Sequence, residues 1–167
     1  MSIDWYRPDP LKVGQRAPDF ELESTAGRLR LCEEAYKGPI ILAFYMGDFG
    51  TTCSWVLSKF RDKWPEIKEM SCNIWAISCN DISSHRRYDS RMNFPFPLLA
   101  DVGSKVIETY GCKIENHDIY AGMAGRAVYV VDEDCNIAYA WAAEDDPAQT
   151  PDYAGLMSFL ESYSYNR

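Results

Sequence analysis

The chain has 167 residues, 47% of them hydrophobic and 14% aromatic, which is enough apolar material for one packed core and excludes a disordered chain. Lys plus Arg total 17 against 25 Asp plus Glu, a formal charge of −8 that excludes the basic footprint of a nucleic-acid binder. No run approaches the roughly 18–20 apolar residues that span a bilayer, and Met1 to Pro8 lacks a basic stretch followed by an apolar core. A single domain over 1–167, cytoplasmic and without a membrane partner, is the expectation.

In chain order, Pro8, Pro10 and Pro18 mark an extended lead-in. Asp19 to Ser24 and Arg28 to Leu31 each alternate polar and apolar residues about Ala26-Gly27, which predicts a hairpin. Ile40 to Met46 is a continuous apolar run, the pattern of a strand buried on both faces. Gly47 to Thr52 follows as a loop, and a helix is predicted from about Cys53 to Met70, with Trp55, Val56, Phe60, Trp64 and Ile67 at helical spacing and Pro65 marking a kink or restart. Asn73–Ser78 reads as a buried strand, 82–92 as an exposed helix, and Pro95 to Leu99 as a short strand. Gly103 to Tyr110 reads as a helix closed by Gly111. Arg126 to Val131 and Asn136 to Trp141 predict a second hairpin turning at Asp132 to Cys135. The last helix, 152–163, is entered through Thr150 as cap and Pro151 at the first helical position. Strands alternating with helices and ending in a hairpin and helix define an α/β fold with a mixed sheet.

Six cysteines are present, Cys32, Cys53, Cys72, Cys79, Cys112 and Cys135, and none forms a C-x-x-C pair. No zinc knuckle or dithiol redox motif is therefore indicated, and neither His85 nor His117 lies at metal-ligand spacing from a cysteine. The default for each is a reduced, buried, inert thiol. Cys53 departs from that default because it sits where a central strand has ended and a helix begins. Ligand groups concentrate at the carboxyl ends of strands in open α/β folds, and a first helical turn offers unpaired N–H groups and a positive dipole end that favour a thiolate. His85 reads as packing or capping near a helix start, and His117 as a loop residue with no required role. Trp55, Trp64, Trp75 and Trp141 read as core and rim packing, and Glu144 to Asp146 as a solvated acidic turn.

From about Val13 to Tyr163 the chain resembles the peroxiredoxins, thiol peroxidases with a thioredoxin-like fold. Val13-Gly14-Gln15-Arg16-Ala17-Pro18-Asp19-Phe20 is similar to the family's G-x-x-A-P-x-F, and Ile40 to Tyr45 leads into loop and cysteine as it does there. Ala76 to Asp81 with Ser84-His85 resembles the strand ending in S-x-D and followed by S-H. Phe94-Pro95-Phe96-Pro97-Leu98-Leu99-Ala100-Asp101 matches F-P-F-P-L-L-x-D, Tyr110-Gly111 matches Y-G, and Arg126 to Asp132 matches R-x-x-φ-φ-φ-D. The resemblance implies a central mixed β-sheet flanked by helices, Cys53 as the peroxidatic cysteine and Arg126 as the arginine of the peroxide pocket. It implies a peroxide substrate and a thioredoxin-, glutaredoxin- or small-thiol-type reductant, with no metal or prosthetic group, in a monomer or homodimer.

The frame P-x-x-x-T-x-x-C reads Met46-Gly47-Asp48-Phe49-Gly50-Thr51-Thr52-Cys53, so methionine replaces the proline and glycine the threonine. Gly50 and Thr52 would then serve the pocket through backbone or side chain. Val56 stands where many members carry a polar group. Two readings follow: a peroxidase working through Cys53, Arg126 and backbone N–H groups, or the same fold kept as a redox sensor or interaction module. A disulfide reductase lacks its second cysteine, because Gly50 and Val56 flank Cys53 at the relevant spacing. The position of an intrahelical resolving cysteine is Ser58, and no cysteine follows Cys135. The chain thus resembles a one-cysteine enzyme, or uses Cys79, which ends the neighbouring strand. Cys112 and Cys135 are weaker candidates as resolver, and Cys32 and Cys72 have no argument for that role.

Overall fold

The structure, a computed structural model, describes residues 5–166. Among these, the strands are β1 (Glu21–Ser24), β2 (Gly27–Arg30), β3 (Ile40–Phe44), β4 (Asn73–Ser78), β5 (Leu98–Ala100), β6 (Ala127–Val131) and β7 (Ile137–Ala142). The helices are α1 (Leu31–Ala35), α2 (Thr51–Glu69), α3 (Ile82–Met92), α4 (Lys105–Thr109) and α5 (Tyr153–Tyr165). The strands form one mixed sheet in the order β2-β1-β5-β4-β3-β6-β7. β3, β4 and β5 are parallel neighbours, while β6 lies antiparallel to β3 and β7 to β6.

Both faces of β3 are covered, as its unbroken apolar run implies. Successive side chains point to opposite faces, so Ile41 and Ala43 pack under α2 and α5 with Val56, Leu57, Phe60, Leu156 and Leu160. Ile40, Leu42 and Phe44 pack on the other side, with Leu31 and Ala35 of α1 and Ile107 of α4. Trp75 lies in this second layer, whereas Trp55 is half exposed, with the Lys59 ammonium 5.1 Å above its ring.

Four local expectations are corrected. Leu31 starts α1 rather than ending a strand, because the Asp19 carboxylate accepts the Cys32 N–H at 2.9 Å and so caps the helix from outside. Burial raises the pKa of that carboxyl, but the Cys32 N–H and the Arg30 guanidinium outweigh it and hold Asp19 below its usual range. α2 begins two residues earlier than predicted and runs unbroken through Pro65, whose cost is one missing N–H bond in a helix anchored on both sides by Phe60 and Ile67. α5 is capped by Asp152, whose carboxylate accepts the Gly155 N–H at 2.9 Å, so Pro151 precedes the cap.

The fourth correction concerns the thiols. Cys32 on α1 and Cys135 at the β6–β7 turn form a disulfide across a separation of 103 residues, so these two are not reduced packing thiols. Cys53, Cys72, Cys79 and Cys112 are free.

Candidate active site

Strand register brings the two candidate residues, Cys53 and Arg126, together. Phe44, the last residue of β3, is paired with Ala127, the first of β6. Arg126 therefore lies level with the chain that leaves β3 towards α2. Gly50 is the N-cap of α2, and Ser54 N–H to the Gly50 carbonyl, at 2.8 Å, is a first intrahelical bond. Cys53 is thus the third helical residue, and the N–H groups of Thr51, Thr52 and Cys53 have no intrahelical acceptor.

Arg126 is 1% exposed, and its Nη2 donates to the Cys53 Sγ at 3.5 Å. Nη1 donates to the Ala148 carbonyl, while the Arg126 N–H donates to the Pro147 carbonyl at 2.9 Å. The 146–148 segment is thereby tied to the arginine and fixes the guanidinium against the thiol. The buried Nε has no hydrogen-bond partner among the described residues, which leaves one donor of the cation unsatisfied. Cys53, 5% exposed, opens onto a cavity of about 420 Å³ walled by Trp5, Met46, Tyr120, Met123, Arg126 and Pro147.

Gly50 and Thr52 line the same cavity, and both are exposed. Val56 is buried and turned to the core rather than the cavity. Cys79 does not join Cys53: it packs on the opposite face of the sheet, beside the α4 layer, and burial pushes its thiol up. Cys112 is fully enclosed, and burial raises its thiol well above the ordinary range. Cys135 is engaged with Cys32. His117 stacks on Tyr120 and lies tilted against Trp5, each at 4.5 Å between ring centroids, and so braces the cavity wall without lining it. Glu144 to Asp146 is exposed, as expected of a solvated turn, though Asp146 reaches the cavity mouth.

Two groups of residues escaped sequence reasoning. Trp5, Tyr120 and Met123 arrive from segments distant in sequence, with no motif to connect them. The other is Asp48: of the two readings of His85, packing holds and capping does not, because Asp81 caps α3, accepting the Ser84 N–H at 2.8 Å, and His85 is fully buried against the Asp48 carboxylate at 2.9 Å. An aspartate five residues before a candidate nucleophile was the available signal.

The AhpC/TSA family profile matches residues 13–140, and the chain belongs to that family. A putative peroxiredoxin bcp from Coxiella burnetii is 28% identical over 134 residues, covering 78% of this chain and 88% of the relative. The chloroplastic peroxiredoxin Q of Arabidopsis thaliana is 34% identical over 120 residues, covering 72% and 54%. The chain spans about 60% of the length of the rice peroxiredoxin Q relatives it matches. Among solved structures, peroxidoxin BcpB from Mycobacterium tuberculosis superimposes with a TM-score of 0.77 at 24% identity, covering 94% of this chain and 99% of that one. A yeast mitochondrial 1-Cys peroxiredoxin, solved for its thiol resolving mechanism via glutathione/thioredoxin systems, gives 0.82 at 17% identity, covering 93% and 78%. These likenesses establish the thioredoxin-like fold.

Proposed function

We propose that the chain is a thiol-dependent peroxidase with Cys53 as its nucleophile and Arg126 as the cation of its peroxide pocket. The reading is carried by the Arg126 Nη2 lying 3.5 Å from a sulfur set in the first turn of α2. The sulfur attacks the nearer oxygen of ROOH, forming an S–O bond as the O–O bond breaks. The electron pair leaves on the far oxygen, which takes up the proton given by the thiol and departs as water or alcohol. Cysteine is oxidised by two electrons to the sulfenic acid, and the peroxide is reduced. Charge grows on the leaving oxygen, where a fixed guanidinium and first-turn N–H groups stabilise the transition state. A reductant thiol then condenses with the sulfenic acid, releasing water, and a second thiol frees Cys53 from the mixed disulfide.

Cys53 and Cys79 pack on opposite faces of the sheet, which favours an external reductant of the thioredoxin, glutaredoxin or small-thiol class over Cys79 as internal resolver. The cavity is much larger than one peroxide, which fits hydrogen peroxide and organic hydroperoxides alike. An intact sulfur–guanidinium pair facing that cavity supports catalysis over the interaction-module reading. Stopped-flow mixing with hydrogen peroxide and with cumene hydroperoxide tests this. The parent is expected to consume one equivalent rapidly and Cys53→Ser to react at the background rate; a variant as fast as the parent removes the proposal.

Gly50 carries a second prediction. Its φ of −66° and ψ of 137° suit any L-residue, and a Cβ there would meet the Cys53 Sγ at 3.8 Å, an ordinary contact. Gly50→Thr should bring a hydroxyl beside the sulfur and raise the peroxide rate by roughly tenfold or more, the order of one donor placed at developing charge. An unchanged rate in the same stopped-flow assay would mean that the hydroxyl does not reach the reacting atoms.

A further inference from the structure

The chain between β3 and α2 is held by a buried polar cluster that the peroxidase chemistry leaves unexplained. After the Tyr45 N–H bond to the Ile77 carbonyl, at 3.0 Å, the loop leaves the sheet. Its Asp48 side chain is fully buried. The carboxylate accepts from the Tyr45 hydroxyl at 2.7 Å and from the Ser84 hydroxyl at 2.8 Å, and faces His85 Nδ1 at 2.9 and 3.0 Å. The Asp48 N–H donates to Asn80 Oδ1 at 3.0 Å, and that oxygen also accepts from the Ser78 hydroxyl at 2.8 Å. Loop, β4 end and α3 are thus joined at Asp48, the first and last through its carboxylate and the β4 end through its N–H.

A carbonyl oxygen only accepts, so His85 Nε2, 2.8 Å from the Leu99 carbonyl, carries a hydrogen. Nδ1 faces both oxygens of the Asp48 carboxylate, so the ring is held at both nitrogens. A buried polar cluster with every member satisfied specifies one geometry, whereas a half-satisfied one is costly.

A second set of contacts to α3 lies nearer Cys53. Gly50, the N-cap, makes no side-chain cap bond. Phe49 has φ of 64°, a left-handed conformation that persists in an L-residue only where surroundings impose it. Its ring packs 5.0 Å from that of Tyr88, whose hydroxyl lies 2.7 Å from Ser54 Oγ, next to Cys53. The first turn of α2 is therefore set against α3 both directly, at Ser54, and through the loop that carries Asp48 and Phe49.

We propose that Asp48, clamped by His85, is the positioning residue of the site: it sets the loop so that the start of α2 presents its N–H groups to the peroxide at Cys53. The inference rests on the peroxidase reading and adds a residue to it. Displacements of about 1 Å at a reacting centre cost on the order of a hundredfold in rate. Asp48→Ala should therefore slow peroxide reduction by roughly ten- to hundredfold. Asn is the conservative replacement: its amide can donate to a neutral His85 Nδ1 while its oxygen accepts from Tyr45, so Asp48→Asn should recover most of the lost rate.

The test compares two rates on one thiol, in variants shown by circular dichroism to be folded at the assay temperature. Peroxide reduction needs the aligned donors in its transition state; alkylation of Cys53 by iodoacetamide, read at its high-pH plateau where parent and variant thiols are both ionised, does not. Asp48→Ala is expected to lower the peroxide rate while alkylation changes less than about threefold, with Asp48→Asn restoring the ratio. Rates that fall together, or a ratio equal to the parent's, overturn the proposal. Should Asp48→Ala not fold, Ser84→Ala removes one donor from the carboxylate and should lower the same ratio severalfold; no change there also overturns it. A parent that alkylates but leaves peroxide untouched overturns the peroxidase reading, and this proposal with it.

Discussion

Replacing Arg126 with alanine is expected to slow the reaction of Cys53 with peroxide by roughly 10²–10³-fold, the range seen when one preorganised donor to developing charge is removed. The effect should be chemical rather than architectural, because the main-chain bonds at this position survive the change: Arg126 N–H to the Pro147 carbonyl and Ala143 N–H to the Arg126 carbonyl, both at 2.9 Å. Lysine should not restore the rate fully. Its single ammonium on a flexible stem cannot hold the Ala148 carbonyl and face the sulfur together, as the planar guanidinium does. Stopped-flow rates on Arg126→Ala and Arg126→Lys, with melting curves alongside, provide the check. An alanine variant within about threefold of the parent would exclude Arg126 from the chemistry.

The second large effect is thermodynamic. Removing the Cys32–Cys135 bridge as Cys32→Ala with Cys135→Ala should lower stability by about 4–5 kcal/mol, the chain-entropy value for a loop near 100 residues. That is a large share of the 5–15 kcal/mol by which domains are typically stable. Urea unfolding of the parent in a reducing buffer should match the double variant, and a shift below about 1 kcal/mol would mean that the cross-link hardly restrains the unfolded chain. The peroxide rate of the folded double variant should be unaltered. Arg126 precedes β6 and Cys135 follows it, so bridge and site lie at opposite ends of one strand.

What could be read from sequence was what local pattern encodes. The unbroken run of β3 and the alternation in the hairpins reported burial directly, and the strand–loop–helix context singled out Cys53 among six cysteines. Arg126 became legible only through the family's ordered motifs, since its distance from Cys53 is set by the β3–β6 register. Three of the misses share one cause, partners far apart in the chain. α1 takes its cap from Asp19, thirteen residues before Cys32; Asp48 and His85 stand 37 apart; Cys32 and Cys135 stand 103 apart. No spacing rule signals such pairs before the fold exists. Pro65 failed in the opposite sense: a local rule for helix breaking yielded to packing on both sides of it.

The bridge also bears on how turnover should be measured. In the proposed cycle, a strong dithiol donor added to recycle oxidised Cys53 would deliver electrons to two acceptors, its sulfenic acid and the distant cross-link. Reductant consumed in the first minutes would overstate turnover by one equivalent per chain, and activity lost later would record a scaffold coming unfastened rather than an inactivated thiol. A weak monothiol donor, with free sulfhydryls counted before and after, keeps the two accounts apart: four in the intact fold, six once it is undone.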